Sequence, residues 1–329
     1  MKSEIFFQTT LLSWYLQHGR HDLPWQHQSP YHVWLSEIML QQTQVATVIP
    51  YFERFISKFE NVFDLANASL DDVLLHWAGL GYYHRAKNLY RCAQIIVQEH
   101  QGRFPQHLEA LMALPGIGPS TAAAIASQAF NLPYAILDGN VMRVLSRFFG
   151  IEASIHLPTT KKSLQTLANN CMPHTQCQAY TQAIMDMGAT CCKPKNPKCG
   201  DCPLHQQCYA FQHQKVETIP LKEKKLTRKI VRWDFTAFIN PQHEIWLEQR
   251  PNEGIWPKLW CLPEECPSEV IAHCYHDLTH MRMDIHVSLK KVCLLNREGR
   301  WVSAWELSQL ALPKPLTKLI TKVFLALES

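Results

Sequence analysis

The sequence has no long uncharged apolar stretch and no polar low-complexity tract, which excludes membrane-spanning and disordered classes. It also lacks an export signal. Met1 to Tyr15 mixes Lys2, Glu4, Gln8 and Ser13 with apolar residues, without an apolar core followed by a small-residue cleavage site. The expected location is therefore cytoplasmic. Charge of one sign is missing too: 32 basic against 28 acidic residues leave only +4, so any nucleic-acid binding must come from local chemistry. Glycine is scarce at 12 residues, about half its usual frequency. Yet Gly79, Gly81, Gly102, Gly116, Gly118, Gly139 and Gly150 fall close together, and backbone geometry matters most there. There is no internal repeat.

What is present begins with length. At roughly 150 residues per domain, 329 residues make two domains, each large enough for its own core. From residue 5 to about 190 apolar positions recur at helical spacing, with Ser29-Pro30, Ser69 and Pro119-Ser120 as starts and Gly79, Gly102 and Gly150 as stops. A Cys-rich loop follows, then Gln212 to Arg232 with seven Lys or Arg against two Glu, which is linker chemistry. Beyond it Val231, Trp233, Phe235, Ala237 and Ile239 alternate with Arg232, Asp234 and Thr236, and Glu244 to Glu248 reads as another strand. The expected domains are 1–211 (helical), 212–229 (basic linker) and 230–329 (α+β).

Twelve cysteines without an export signal argue for metal ligation over disulfides. Cys192, Cys199, Cys202 and Cys208 are spaced C-x6-C-x2-C-x5-C in a loop punctuated by Pro194, Pro197 and Pro203. Four thiolates suit either zinc or an iron-sulfur cube, although the paired C-x2-C spacing of zinc ribbons is absent. Lys193, Lys195 and Lys198 add positive charge to the loop. Elsewhere, a helical pattern breaks at Pro115-Gly116-Ile117-Gly118 and resumes in an Ala-rich helix from Pro119 to Phe130. Such a glycine hairpin at a helix N-terminus can hold a DNA phosphate without reading sequence.

Two carboxylates stand in contrasting settings. Glu37 has Val33, Trp34, Leu40 and Gln41 at three and four residues, and apolar company raises a carboxyl pKa. Asp138 precedes a helix that it can cap, where N–H donors favour the anion. An acid and an anion are the equipment for cleaving a glycosidic bond, although cap and surface charge are the plain alternatives.

The hairpin Leu114-Pro-Gly-Ile-Gly-Pro-Ser-Thr121, the segment Leu137-Asp-Gly-Asn-Val141 and the cysteine loop resemble the helix-hairpin-helix DNA glycosylases that carry a 4Fe-4S cluster. The run Trp34 to Arg54 and Gly79-Leu-Gly-Tyr-Tyr83 resemble the MutY family of adenine DNA glycosylases, over almost the whole chain. The resemblance implies a mainly α glycosylase domain with one 4Fe-4S cluster on Cys192, Cys199, Cys202 and Cys208, followed by a MutT-like (Nudix-like) α+β domain. It implies removal of adenine opposite 8-oxoguanine or guanine in double-stranded DNA, by a monomer associated with the nucleoid. In that frame Glu37 is the general acid, Asp138 stabilises the sugar cation, either directly or through a covalent adduct that water resolves, and Asn140 orients Asp138 or the sugar. Gly116, Gly118 and Ser120 hold phosphate, Gln42 and Thr43 fill the gap left by the flipped base, and Leu80 and Tyr82 wedge into the stack. Arg20, Trp25 and Gln182 line the adenine pocket.

A lysine just after the hairpin, which the endonuclease III branch needs for a Schiff base, is replaced by Ser120, and no lysine occurs between Lys87 and Lys161. Excision without efficient strand cleavage is expected. In the C-terminal half Leu247 to Pro251, Trp260 to Pro263 and His276 to His280 match the MutT-like domain, but the clustered glutamates of active Nudix enzymes are missing. By resemblance His276, Thr279 and His280 read 8-oxoguanine; Thr279 stands where Ser is common, and Pro257-Lys258 replaces a glycine pair. The rival readings are a bifunctional glycosylase and lyase, and a mismatch-binding protein without catalysis.

Overall fold

A computed structural model describes residues 2–221, 228–265 and 269–328. The middle of the expected basic linker, with Lys222, Lys224 and Lys225, lies outside the described residues. The chain forms two compact units, Met1–Phe63 with Arg91–Lys224, and Asp64–Tyr90 with Lys225–Ser329. This division departs from the expected 1–211, 212–229 and 230–329, because the segment Asp64–Tyr90 joins the C-terminal unit. Side chains explain it: Lys87 Nζ donates to Asn252 O at 2.7 Å and Gln249 Nε2 to Asp71 Oδ1 at 3.3 Å. Helical periodicity shows which face is buried, not which partner covers it.

The first unit is helical. Helix Pro30–Leu40 starts where Pro30 supplies a preset φ behind Ser29, and helix Gly139–Phe149 runs from the Asp138 cap to Gly150 at φ +73°, the left-handed stop that glycine adopts without strain. Fully buried Phe7, Leu11, Trp34, Leu35, Phe52 and Phe55 belong to its interior. Each such side chain is worth roughly 1.5–3 kcal/mol of burial. The helix before the hairpin is short, Leu108–Met112.

The second unit holds a sheet of β1 (Lys229–Ile239), β2 (Ile245–Gln249), β3 (Trp260–Cys261), β4 (Val270–Asp277), β5 (Met281–Lys291) and β6 (Arg300–Val302). The order is β3-β2-β1-β5-β4, with β6 also on β2. Among the described residues only β1 and β5 run parallel. Along β5 Met283, Ile285 and Val287 alternate inward, whereas on β1 the expected alternation gives way to burial of every residue from Phe235 to Ile239, and helix Lys314–Glu328 packs beside β4. No helix of the described residues is long and apolar enough to cross a membrane.

Candidate active site and cysteine loop

Helix Pro30–Leu40 packs on the Ala-rich helix Pro119–Phe130, whose Ala122, Ala123, Ala124 and Ala126 are buried. Small side chains let the two backbones come close. As a result Gln128 Nε2 donates to Oε1 of Glu37 at 3.0 Å. Glu37 keeps some solvent contact at the cavity it lines, yet protein atoms crowd around it. That desolvation, reinforced by the negative charge of Asp138, pushes its carboxyl up to about 7.

Asp138 caps its helix as the sequence suggests: Oδ1 accepts from Val141 N at 2.8 Å. Asn140 Nδ2 donates to Asp138 Oδ2 at 3.4 Å. Arg143, three residues on, donates from Nη2 to Asn140 Oδ1 and to Gly188 O, both at 2.8 Å, and from Nε to Cys192 O at 2.8 Å. The guanidinium fork therefore ties the capping segment to the start of the cysteine loop.

Glu37, Asp138 and Asn140 line a single cavity of about 800 Å³, together with Arg20, Trp25, Gln42, Thr43, Ser120 and Gln182. Arg20 reaches Asp186 Oδ1 through Nε at 2.8 Å and Nη2 at 2.5 Å, and Gln182 Nε2 donates to the same oxygen at 2.8 Å. Trp25 does two things, lining the cavity and packing edge-on against Phe52 at 5.3 Å. Gln42 has φ +57°, a left-handed turn at the end of the Glu37 helix. Gly116 and Gly118 form the hairpin outside this cavity: Gly116 has φ +80° and accepts from Gln41 Nε2 at 3.3 Å. Ser120 Oγ accepts from Leu137 N at 3.3 Å, joining the hairpin helix to the segment before Asp138.

Cys192, Cys199, Cys202 and Cys208 line a second, small cavity with Cys191, Arg147 and Lys198. Arg147 Nη1 lies 3.4 Å from Cys192 Sγ and donates to Lys193 O at 2.7 Å. Four sulfurs around one space, with a buried cation beside them, fit an anionic iron-sulfur group. Cys191 also lines the cavity, with Sγ 3.6 Å from Lys198 O. Cys92, Cys171 and Cys177 are buried elsewhere.

The remaining candidates lie in the second unit. The turn between β4 and β5, closed by Leu278 N on Met281 O at 2.8 Å, exposes Thr279 and His280. Tyr82 Oη and Thr279 Oγ1 are hydrogen-bonded at 2.8 Å. Leu80 is only 6% exposed and Tyr82 38%, so of the two expected wedges Tyr82 alone is open to a partner. His276 is half-buried on β4, and burial lowers its pKa.

Gln128, Arg143, Arg147 and Asp186 were not singled out from sequence. A signal existed: Asn140, Arg143 and Arg147 share one helix face, as do Gln182 and Asp186, and Gln128 is a polar residue in a buried Ala-rich run.

The model of an HhH-GPD superfamily base excision DNA repair protein matches residues 35–173, the iron-sulfur binding domain of endonuclease III matches 192–208, and a NUDIX domain matches 235–322. The Adenine DNA glycosylase of Buchnera aphidicola subsp. Baizongia pistaciae (strain Bp) is 37% identical over 348 residues, covering 98% of each chain. The chain belongs to the adenine DNA glycosylase family. The Homo sapiens Adenine DNA glycosylase is 42% identical over 65% of this chain and 41% of its own. A thermostable thymine-DNA glycosylase structure covers 64% of this chain and 98% of its own, with TM-score 0.59 and 29% identity. As a family member the chain is a DNA-binding base excision repair glycosylase, and its four-cysteine loop is the binding site of an iron-sulfur cluster.

Proposed function

We propose that the protein removes adenine paired with 8-oxoguanine or guanine in duplex DNA, hydrolysing the N-glycosidic bond without cleaving the strand. The observation that carries this reading is the pair Glu37 and Asp138 on one cavity, with the Glu37 carboxyl pushed up to about 7. Half protonated near neutrality, Glu37 is a proton donor for adenine N7, which makes the base a better leaving group. Such proton transfer supplies about 10²–10⁴ in rate. Asp138 meets the positive charge that develops on the sugar, and water completes hydrolysis to free adenine and an abasic site.

The target base must leave the stack to react, and the 800 Å³ cavity has room for it. Arg20, Trp25 and Gln182 then surround the adenine. Gln182 Oε1, buried without a hydrogen-bond partner among the described residues, suits the exocyclic amine as an acceptor. Asn140 holds Asp138. Gln42 and Thr43 fill the vacated gap, Tyr82 wedges the stack while Leu80 stays buried, and Gly116, Gly118 and Ser120 hold the backbone phosphate. His276, Thr279 and His280 read the opposite base. Among the described residues no lysine lines the cavity, which supports a monofunctional reaction over the lyase alternative.

The cluster on Cys192, Cys199, Cys202 and Cys208 is of the 4Fe-4S type, and the protein acts as a cytoplasmic monomer on nucleoid DNA. When bound, the cluster braces the loop on which Arg143 and Arg147 are anchored. The test is single-turnover release of adenine from duplexes carrying 8-oxoguanine or guanine opposite. Glu37→Gln is expected to bind such DNA and release almost none; equal release by that variant removes the assigned acid.

A further inference from the structure

Asp284 and His286, which the proposed excision chemistry does not use, sit two apart on β5 and so share a face. The antiparallel register places His273 of β4 directly opposite His286. The result is one carboxylate and two imidazoles on adjacent pleats. His273 Nε2 lies 2.6 Å and His286 Nε2 2.9 Å from the same oxygen, Asp284 Oδ1. The two rings stand 4.7 Å apart at 57°, and one ligand atom from each residue lies within 4.8 Å of the others.

We propose that His273, Asp284 and His286 form a binding site for a divalent transition-metal ion, with zinc the best match. Two imidazole nitrogens and one carboxylate oxygen are the donor set of a borderline cation, whereas calcium and magnesium require oxygen-rich shells. To surround zinc at about 2.0–2.1 Å the donors must lie about 3.3 Å apart, so each nitrogen moves out from Asp284 Oδ1 by less than about 1 Å from its present 2.6 or 2.9 Å. The side chains are 39%, 22% and 18% exposed for His273, Asp284 and His286, which leaves one side open for a water as fourth ligand. Each Nε2 proton now shared with Asp284 moves to Nδ1 of its ring, or to solvent where the ring is cationic; the carboxylate brings none. Neighbouring charges are already matched, Arg232 with Asp234 at 2.9 Å and Arg282 with Asp277 at 2.7 Å. A bound ion clips β4 to β5, the two strands whose turn carries Thr279 and His280.

The test uses the full chain with its iron-sulfur cluster loaded, dialysed against micromolar free Zn²⁺ and analysed for zinc and iron. The wild type is expected to hold one more zinc per chain than His273→Ala/His286→Ala, at equal iron content, and zinc is expected to raise the thermal midpoint of the wild type alone. Equal zinc in both proteins, or none in either, overturns the site and leaves a hydrogen-bonded His-Asp-His cluster. Should the double variant lose its iron or fail to fold, Cu²⁺ paramagnetic resonance on the wild type decides. Splitting from two nitrogens supports the site, and its absence overturns it.

Discussion

Gln128 Nε2 donates to Oε1 of Glu37 at 3.0 Å across two packed helices, one of them rich in alanine. The bond fixes which carboxyl oxygen is occupied and leaves the other for the proton. Because desolvation and Asp138 raise the Glu37 pKa to about 7, the acid form prevails below that pH and is lost above it. Single-turnover adenine release is expected to fall about tenfold per pH unit well above 7, as the acid form is titrated away. Gln128→Leu removes a donor that favours the anion, so the alkaline limb should shift upward while the maximal rate drops. An unmoved limb in that variant would separate Gln128 from the acid.

The same raised pKa has a sign for stability. Folding binds a proton at Glu37 between its ordinary value of 4.5 and about 7, so its contribution weakens as pH rises through that window. Glu37→Gln should lose that part of the pH dependence, which denaturant titrations at pH 5 and 8 will read.

Arg143 is the hinge between capping segment and cysteine loop. Arg143→Gln deletes charge-assisted bonds to Cys192 O, Gly188 O and Asn140 Oδ1, each worth about 1.5–3 kcal/mol. The expected result is a lower thermal midpoint, reduced iron content and slower adenine release with DNA affinity largely kept. Arg143→Lys should not rescue, since an ammonium cannot fork toward several acceptors. Wild-type iron content and rate in both variants would show the bridge to be dispensable.

Asp186 is fully buried and neutralises Arg20 while holding Gln182. Asp186→Ala leaves a cation partly buried and unpaired, a loss of about 3–5 kcal/mol for a deep pair, less here because the Arg20 side chain is 26% exposed. Calorimetry should find destabilisation, and selection of adenine over other bases should weaken as Gln182 comes free. Unchanged base selectivity would confine the network to a structural role.

Tyr82 and Thr279 meet at 2.8 Å on the surface. Tyr82→Phe and Thr279→Ala each break one exposed bond, so stability should move by less than about 0.5 kcal/mol. Their effect is expected on discrimination: the ratio of release opposite 8-oxoguanine to that opposite guanine falls, while the pH profile of Glu37 is untouched. A double variant no worse than either single one would mark the two residues as one unit.

Much of this was legible from the chain alone. Hydrophobic periodicity, the caps Ser69 and Asp138, and the Gly116 and Gly118 turn are local properties, encoded within a few residues of where they act. The cysteine spacing likewise confines four sulfurs to one loop before any fold is considered. Local patterning could not say that Asp64–Tyr90 packs with the C-terminal unit, nor that Leu80 is buried while Tyr82 is not.

What only the tertiary structure decided is the company each charged group keeps. Glu37 and Asp138 are 101 residues apart, and the shift of Glu37 depends on the charge of Asp138 through space. The partners Gln128, Arg143 and Asp186 act across helices, and His273 meets Asp284 only by strand register. Electrostatics depends on distance and on excluded water, and a linear sequence records neither.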